Sequence, residues 1–283
     1  MSGITRAFER ARGEHRAALI PYVMSGYPNG TAAVEIALAL QRGGADLLEI
    51  GMPFSDPLAD GPTVQHAASV SLAGGTTVER CIETAATIRA SSEMPLVLMG
   101  YFNPIHKYGV ERFCRDASRA GVEGLILPDL PPEEAVETHQ LARECGIDII
   151  FLVAPTSTDD RIRKATRLAG GFVYCVSLTG VTGARASLST GLEEFLGRVR
   201  RHTDLPLAVG FGISRPEHAA QVAQVADGVV VASALIDLIE RTPADERLAA
   251  VEEYARSMRA GTSKQASPAS LETEIQPVDD RLG

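Results

Sequence analysis

The stretch GADLLEIGM, residues 44–52, contains the pattern that decides the fold. A glycine ends a helical segment, an acidic residue follows two places later, and a short apolar strand begins. The same order recurs in GVE at residues 121–123 and in GID at residues 146–148. Glycine suits the left-handed position just past a helix end. Each copy therefore marks a change from helix to strand.

Outward from this stretch, short apolar runs alternate with longer segments that have the apolar spacing of helices. The predicted strands cover residues 17–23, 45–52, 94–101, 122–130, 147–154, 171–178, 205–212 and 227–234. The predicted helices between them include residues 31–42, 78–90, 133–144, 161–168, 192–201 and 216–225. Strands joined through helices pair in parallel, because each crossover returns the chain to the same edge. Eight such units in about 250 residues predict a (β/α)8 TIM barrel, a single α/β domain.

This barrel is predicted to span residues 1–261, with an extra helix over residues 1–15 before the first strand. Residues 262–283 are polar and aperiodic, and they are predicted to form a disordered tail. The alternative fold is a doubly wound open sheet. That fold would bind a nucleotide after its first strand, where SGYP at residues 25–28 lacks the required glycine spacing.

The composition narrows the partners and the compartment. A net charge of −9 argues against nucleic acid, since proteins that track polynucleotide phosphates are normally basic. No apolar run reaches the ~18 residues of a membrane span, and residues 1–16 lack the apolar core of a signal peptide. Four widely spaced cysteines, at positions 81, 114, 145 and 175, indicate reduced, mostly buried thiols. We therefore expect a cytoplasmic protein without a membrane partner.

The barrel predicts where a ligand binds. In this fold the active site lies at the carboxyl ends of the strands, and a phosphate group commonly binds after the seventh and eighth. Here those strands end in GFGIS at residues 210–214 and VASA at residues 231–234, and the loop after strand six is TGVTGAR at residues 179–185. Glycines let backbone amides approach an anion closely. The sequence therefore predicts a site for a small phosphate ester.

Three carboxylates, Glu49, Asp60 and Asp129, are candidates for chemistry, and a fourth, Asp56, is expected to be structural or to contact a partner. Glu49 lies near the end of an apolar strand and is expected to face the barrel mouth, because an unpaired buried carboxylate is costly; an ion pair with an arginine is the alternative. Asp60 and Asp56 lie in a proline-rich loop after that strand, where a turn-forming or capping role is the alternative. Asp129 ends the fourth strand and is a candidate for the site, for an interface or for a helix cap.

Other residue types are poorly placed for catalysis. The three lysines, at positions 107, 164 and 264, fall in helical segments or in the tail, which argues against a Schiff base. The histidines, at positions 15, 66, 106, 139, 202 and 218, do not form the ligand cluster of a catalytic zinc. The chemistry that remains for this site is proton transfer by carboxylates on a phosphorylated substrate.

A longer motif carries a specific resemblance. EIGMPFSDPLADGP at residues 49–62 resembles the signature of the tryptophan synthase α-subunit family. The resemblance continues through NP at 103–104, LPDLP at 127–131, GVTG at 180–183 and GFGIS at 210–214, and it covers about residues 4–261. The family is a TIM-barrel lyase. It cleaves indole-3-glycerol phosphate to indole and glyceraldehyde 3-phosphate by retro-aldol chemistry, in the last step of tryptophan biosynthesis.

The resemblance implies roles for individual residues. Glu49 would be the general acid–base residue, and Asp60 would bind the indole N–H. Thr182 would close over Asp60, and Tyr22 and Tyr174 would line the substrate pocket. The implied phosphate site comprises Gly183, Phe211, Gly212, Ala232 and Ser233. Ala232 departs from the family, which commonly has glycine there; its N–H remains available if its φ is negative.

The resemblance also implies a partner. The family's indole passes to a β subunit that carries pyridoxal phosphate, typically in an α2β2 complex, so we expect no cofactor in this chain. Pro53, Asp56 and Asp129 are the expected contact residues. A free-standing lyase that releases indole without a partner is the alternative function. A barrel isomerase of amino-sugar phosphates would need an aspartate pair on strands one and five, which is missing, and a binding scaffold would have no use for Glu49.

Overall fold

The computed structural model describes residues 2–176, 185–210 and 212–264, and for residues 185–190 it describes the backbone alone. All strand pairs named here are parallel. The strands are β1 Ala18–Met24, β2 Leu48–Gly51, β3 Leu96–Met99, β4 Val122–Ile126, β5 Asp148–Ile150, β6 Leu152–Val153, β7 Val173–Val176, β8 Leu207–Gly210 and β9 Gly228–Val231.

Their order in the sheet is β5-β4-β3-β2-β1-β9-β8-β7-β6. Because Phe151 alone separates β5 from β6, the two ends of this order meet and the sheet closes. The nine strands therefore occupy eight positions of a barrel, and the predicted (β/α)8 fold is confirmed. The predicted strand at 147–154 contains both β5 and β6.

The described ranges contain helices that alternate with these strands, as the sequence predicts. They are α1 Gly3–Gly13, α2 Ala32–Arg42, α3 Pro62–Ala73, α4 Val78–Arg89, α5 Phe102–Tyr108, α6 Val110–Arg119, α7 Val136–Glu144, α8 Asp159–Leu168, α9 Arg185–Arg200, α10 Pro216–Ala223, α11 Ser233–Arg241 and α12 Arg247–Gly261. None of the helices in these ranges is long and apolar enough to cross a membrane.

Helix α1 packs against the inside of the barrel. Its residues Ile4, Ala7, Phe8 and Ala11 share one buried cluster with inward-facing side chains of the strands. The ring of Phe8 lies 5.5 Å from that of Phe172, centroid to centroid. The extra helix predicted before the first strand is therefore present, and it fills the amino-terminal end of the barrel.

The acidic residues of the opening sequence pattern lie at this same end. Asp46 pairs with the buried Arg16 at 2.6 and 2.8 Å and accepts the N–H of Leu19 at 2.9 Å. Glu123 accepts the first amide of α1, that of Gly3. In these two copies, the pattern thus places a carboxylate near the beginning of a strand. There the carboxylate accepts hydrogen bonds from buried backbone amides and, for Asp46, from the buried Arg16.

The packed chain extends past the predicted end of the domain. Thr262 is buried, and its carbonyl accepts the N–H of Ala17 at 2.9 Å. Lys264 donates its N–H to the carbonyl of His15 at 2.9 Å. Hydrogen bonding to the chain just before β1 therefore moves the start of any tail beyond Thr262. The rest of the predicted tail, residues 265–283, lies outside the described residues.

Candidate active site

A cavity of about 570 Å³ opens at the carboxyl ends of the strands, within the size range of small-molecule sites. Residues from β1, β2, β3, β6, β7 and β9 and from the segments that follow the strands line it. They include Tyr22, Glu49, Asp60, Met99, Pro128, Leu152, Tyr174, Gly212, Ile213, Val230, Ala232 and Ser233. The catalytic, aromatic and phosphate-binding residues predicted from the sequence thus converge here, where they are described. Thr182, Gly183 and Phe211 lie outside the described residues.

Glu49 projects into this cavity from β2. Leu47 belongs to the buried cluster inside the barrel, and Glu49 follows it by two residues, so both side chains face the interior. The Glu49 side chain is 1% exposed, and its Oε2 has no hydrogen-bond partner among the described residues. The alternative of an ion pair with an arginine is not observed in those ranges. Burial, with a smaller contribution from the charge of Asp60, raises the pKa of Glu49 to about 8.

Asp60 reaches the same cavity from the loop between β2 and α3. Its Oδ2 accepts a hydrogen bond from the Tyr101 hydroxyl at 3.2 Å. The alternative of a helix cap is not observed, because the residue that caps α3 is Gly61. Burial raises the pKa of Asp60 to about 6, against the opposing effect of the Tyr101 hydrogen bond.

The two carboxyl groups are therefore held in different protonation states near pH 7. Glu49 is mainly a neutral acid that can donate a proton, and Asp60 is mainly a carboxylate that can accept a hydrogen bond or balance a positive charge. Environments that separate the pKa values of two neighbouring acids define an acid–base pair.

Two tyrosines form walls of the cavity. Tyr22 on β1 and Tyr174 on β7 are buried, and burial together with the nearby carboxylates raises the pKa of both phenols. Each ring lies against a strand glycine: a Cβ at Gly51 would overlap the Tyr22 ring, and a Cβ at Gly210 would overlap the Tyr174 ring. Glycines at these two positions thus leave space for the aromatic walls.

The predicted phosphate residues that are described lie at the ends of β8 and β9. Gly212, Ala232 and Ser233 line the cavity, and α11 begins at Ser233. First-turn amides of a helix lack partners within the helix and suit an anion. Ala232 has a φ of −121°, so the condition for its N–H to remain available is met.

The three predicted contact residues differ in exposure. Asp56 is exposed and accepts a hydrogen bond from the Ser55 hydroxyl at 2.6 Å, whereas Pro53 is buried. Asp129 is exposed and accepts the N–H of Phe102, at the start of α5, at 3.0 and 3.1 Å. It therefore caps α5, and not α7, the helix that follows it in the chain.

Sequence reasoning missed two residues of this region. Tyr101 ends the predicted third strand, and its hydroxyl at a strand end was a signal for a role near the site. Leu58, in the loop between β2 and α3, is 94% exposed. Within the described residues, no group of three or more histidine, cysteine, aspartate and glutamate side chains is arranged to hold a metal ion.

A parallel barrel with a buried and a half-buried acid of separated pKa and helix-terminal amides in one cavity defines an acid–base enzyme of the TIM-barrel class. Comparison with known proteins makes the class specific. The sequence profile of the family described as "Tryptophan synthase alpha chain" matches residues 8–266.

Relatives of known name and structure agree with this match. The tryptophan synthase alpha chain of Roseiflexus castenholzii is 54% identical over 260 residues, 92% of this chain and 100% of the relative. That of Chloroflexus aurantiacus is 48% identical over 265 residues, 93% of this chain and 100% of the relative. The crystal structure of tryptophan synthase subunit alpha from Legionella pneumophila has a TM-score of 0.85 at 35% identity, covering 93% of this chain and 98% of that one. A tryptophan synthase chain from M. tuberculosis has a TM-score of 0.85 at 37% identity, covering 94% and 100%.

The chain belongs to the tryptophan synthase alpha-chain family. The resemblance seen at residues 49–62 is thereby confirmed, and with it the assignment of the chain as a lyase of tryptophan biosynthesis.

Proposed function

We propose that this chain cleaves indole-3-glycerol phosphate with Glu49 as general acid and base and Asp60 as the partner of the indole ring. The observation that carries the proposal is the buried carboxyl of Glu49, whose Oε2 has no hydrogen-bond partner among the described residues, in a cavity that it shares with Asp60. A free-energy penalty of this kind persists where the group has a chemical task.

The protonation states set the order of the steps. Neutral Glu49 donates its proton to C3 of the indole ring, and the positive charge that develops spreads to the ring nitrogen. The Asp60 carboxylate accepts a hydrogen bond from the ring N–H and stabilises that charge. Glu49, now ionised, takes the proton of the hydroxyl next to the bond that breaks. The bond's electrons return to the ring, an aldehyde forms, and Glu49 regains its neutral form.

The remaining predicted residues bind and enclose the substrate in this proposal. Tyr22 and Tyr174 flank the reacting part, and Gly183, Phe211, Gly212, Ala232 and Ser233 hold the phosphate through main-chain amides and the Ser233 hydroxyl. Thr182 closes over Asp60 and excludes water. The negative φ of Ala232 supports this arrangement despite the missing glycine.

Membership of the family implies a β subunit as partner, and we infer an α2β2 complex. The loop after β2 carries the exposed Asp56 and Leu58, and Asp129 is exposed at the end of β4. Burying one exposed leucine contributes roughly 1.5–3 kcal/mol, so a partner surface accounts for Leu58 better than a free-standing lyase does. Pro53 is buried, so it would stabilise this loop beneath the exposed residues that contact the partner. Pyridoxal phosphate would belong to the β subunit, and the four free cysteines are in keeping with a cytoplasmic location.

The experiment is to incubate the protein with indole-3-glycerol phosphate, with and without a β subunit, and to measure released indole. Glu49→Gln keeps the shape of the neutral acid and removes proton transfer, so turnover should fall by about 10²–10⁴-fold. Glu83→Gln, on the exposed face of α4, is the matched control. Unchanged turnover in Glu49→Gln would overturn the proposal. High activity that the β subunit does not stimulate would support the free-standing alternative.

A further inference from the structure

The Tyr101 hydroxyl is both donor and acceptor of a hydrogen bond with the loop between β2 and α3, which carries Asp60. The group donates a hydrogen bond to Oδ2 of Asp60 at 3.2 Å and accepts one from the N–H of Ala59 at 2.9 Å. The Tyr101 side chain is 5% exposed. A buried hydroxyl with both bonds made is fixed in direction, so its hydrogen points at the Asp60 carboxylate.

The Tyr101 ring holds the same loop at a third point. Its centroid lies 5.2 Å from that of Phe54, with 31° between the ring planes. The backbone next to Tyr101 is fixed in turn, because both carboxylate oxygens of Asp129 accept the N–H of Phe102. One side chain anchored at the end of β3 thus contacts the beginning and the end of the loop that carries Asp60.

This loop has little packing of its own between those points. Residues 55, 56, 58 and 59 are exposed, and Leu58 is the extreme case at 94%. An aspartate at the end of such a segment can rotate about two side-chain bonds. The hydrogen bond from Tyr101 selects one orientation, and it does so without lining the cavity that holds the substrate.

We propose that Tyr101 is a positioning residue, whose hydroxyl fixes the Asp60 carboxylate in the orientation that receives the indole N–H. The inference rests on the proposed role of Asp60. Its consequence is that loss of the hydroxyl lowers the rate of the chemical step and leaves the phosphate end of the site intact.

A change in pH dependence distinguishes positioning from general support of the fold. In the described ranges, the titratable groups that interact with Asp60 are Glu49 from β2, Tyr22 from β1, Tyr174 from β7 and Tyr101 itself, and Asp237 of α11 lines the same cavity. Among them Tyr101 is the group whose hydrogen bond lowers the pKa of Asp60. Without it burial acts unopposed, the pKa of Asp60 rises, and the acid limb of the activity profile moves to higher pH.

The test is Tyr101→Phe, which keeps the ring on Phe54, assayed in the complex with the β subunit. Loss of this charge-assisted hydrogen bond should lower kcat about tenfold or more, whereas KM should change by less than about threefold. Tyr108→Phe is the control. It removes a tyrosine–aspartate hydrogen bond of 2.8 Å, to Asp116, and neither residue lines the cavity. Its kcat and pH profile should match the unmodified protein.

A double-mutant cycle with Asp60→Asn separates the possible failures. If Tyr101 acts through Asp60, adding Tyr101→Phe to Asp60→Asn lowers kcat by less than about twofold. An equal loss in both backgrounds, or an unchanged kcat and acid limb in Tyr101→Phe alone, overturns the inference. If Asp60→Asn itself forms indole normally, the proposed role of Asp60 fails instead, and the two results cannot be confused.

Discussion

The buried carboxyl of Glu49 allows a prediction about stability as well as catalysis. Its pKa in the folded protein is about 8, against an ordinary value of 4.5. Between these two values the folded chain holds a proton that the unfolded chain has released. The free energy of unfolding therefore falls as pH rises from 4.5 to about 8, and this contribution is constant outside the window. Glu49→Gln cannot ionise and should remove the dependence.

The magnitude follows from the size of the window. The two pKa values lie about 3.5 pH units apart, and each unit corresponds to about 1.4 kcal/mol. The side chain is 1% exposed, so solvent screens little of this difference. Relaxation around an ionised group reduces it, and we expect Glu49→Gln to be more stable than the unmodified protein by about 3–5 kcal/mol at pH 8. Near pH 4.5 the two proteins should be almost equally stable.

Urea unfolding at several pH values between about 4.5 and 8 measures this difference directly. Glu83→Gln, on the exposed face of α4, serves as the control and should track the unmodified protein throughout. The reasoning would be refuted if the gain from Glu49→Gln were the same at both ends of the range. A variant that is less stable at pH 8 would equally show that the ionised carboxylate has a partner.

Three further outcomes are expected. The profile of kcat/KM against pH should be bell-shaped, falling below about pH 6 as Asp60 gains a proton and above about pH 8 as Glu49 loses one; a kcat/KM that does not fall on either side of this interval would contradict the prediction. Asp46→Ala should lower the free energy of unfolding by about 3–5 kcal/mol in urea titrations, because it removes the buried carboxylate that pairs with the Arg16 guanidinium and accepts the Leu19 N–H, and leaves the more exposed Glu14 as the carboxylate beside Arg16; a loss below about 1 kcal/mol would show that Glu14 or solvent compensates. Ala232→Gly should change KM by less than about threefold in steady-state assays, since the N–H is already available; a tenfold decrease would mean that the methyl group obstructs the phosphate.

The barrel could be predicted because its strands are buried on both faces and its helices on one, which gives two distinct apolar spacings. Helices with a weak apolar stripe were harder to predict. Helix α3 is rich in alanine and serine, and α5 contains Pro104, so neither is in the predicted set. Helices α6 and α12 are also absent from that set, although α6 buries one apolar face. The extent of the folded chain was also missed, because the contact of Thr262 with Ala17 joins segments that are distant in sequence.

The direction of Glu49 could be predicted from the free energy of burying a charge, since a strand offers just two faces. Asp60 is different. It lies in a loop, and its alternative as a helix cap could be rejected only when the structure showed Gly61 in that position. The place of Tyr101 at a strand end indicates a position near the site, but its hydrogen bond to Asp60 and the separation of the two pKa values depend on burial and on contacts between distant segments, which leave no pattern in the sequence.

Because helix α1 fills the amino-terminal end of the barrel, the active-site cavity opens at the carboxyl ends of the strands. Substrate and products would therefore pass through this opening, which lies next to the loop that carries Leu58. A partner protein bound to that loop would lie beside the opening of the cavity and would direct where the products diffuse. By closing the opposite end of the barrel, α1 would thus help to direct indole toward a subunit that consumes it.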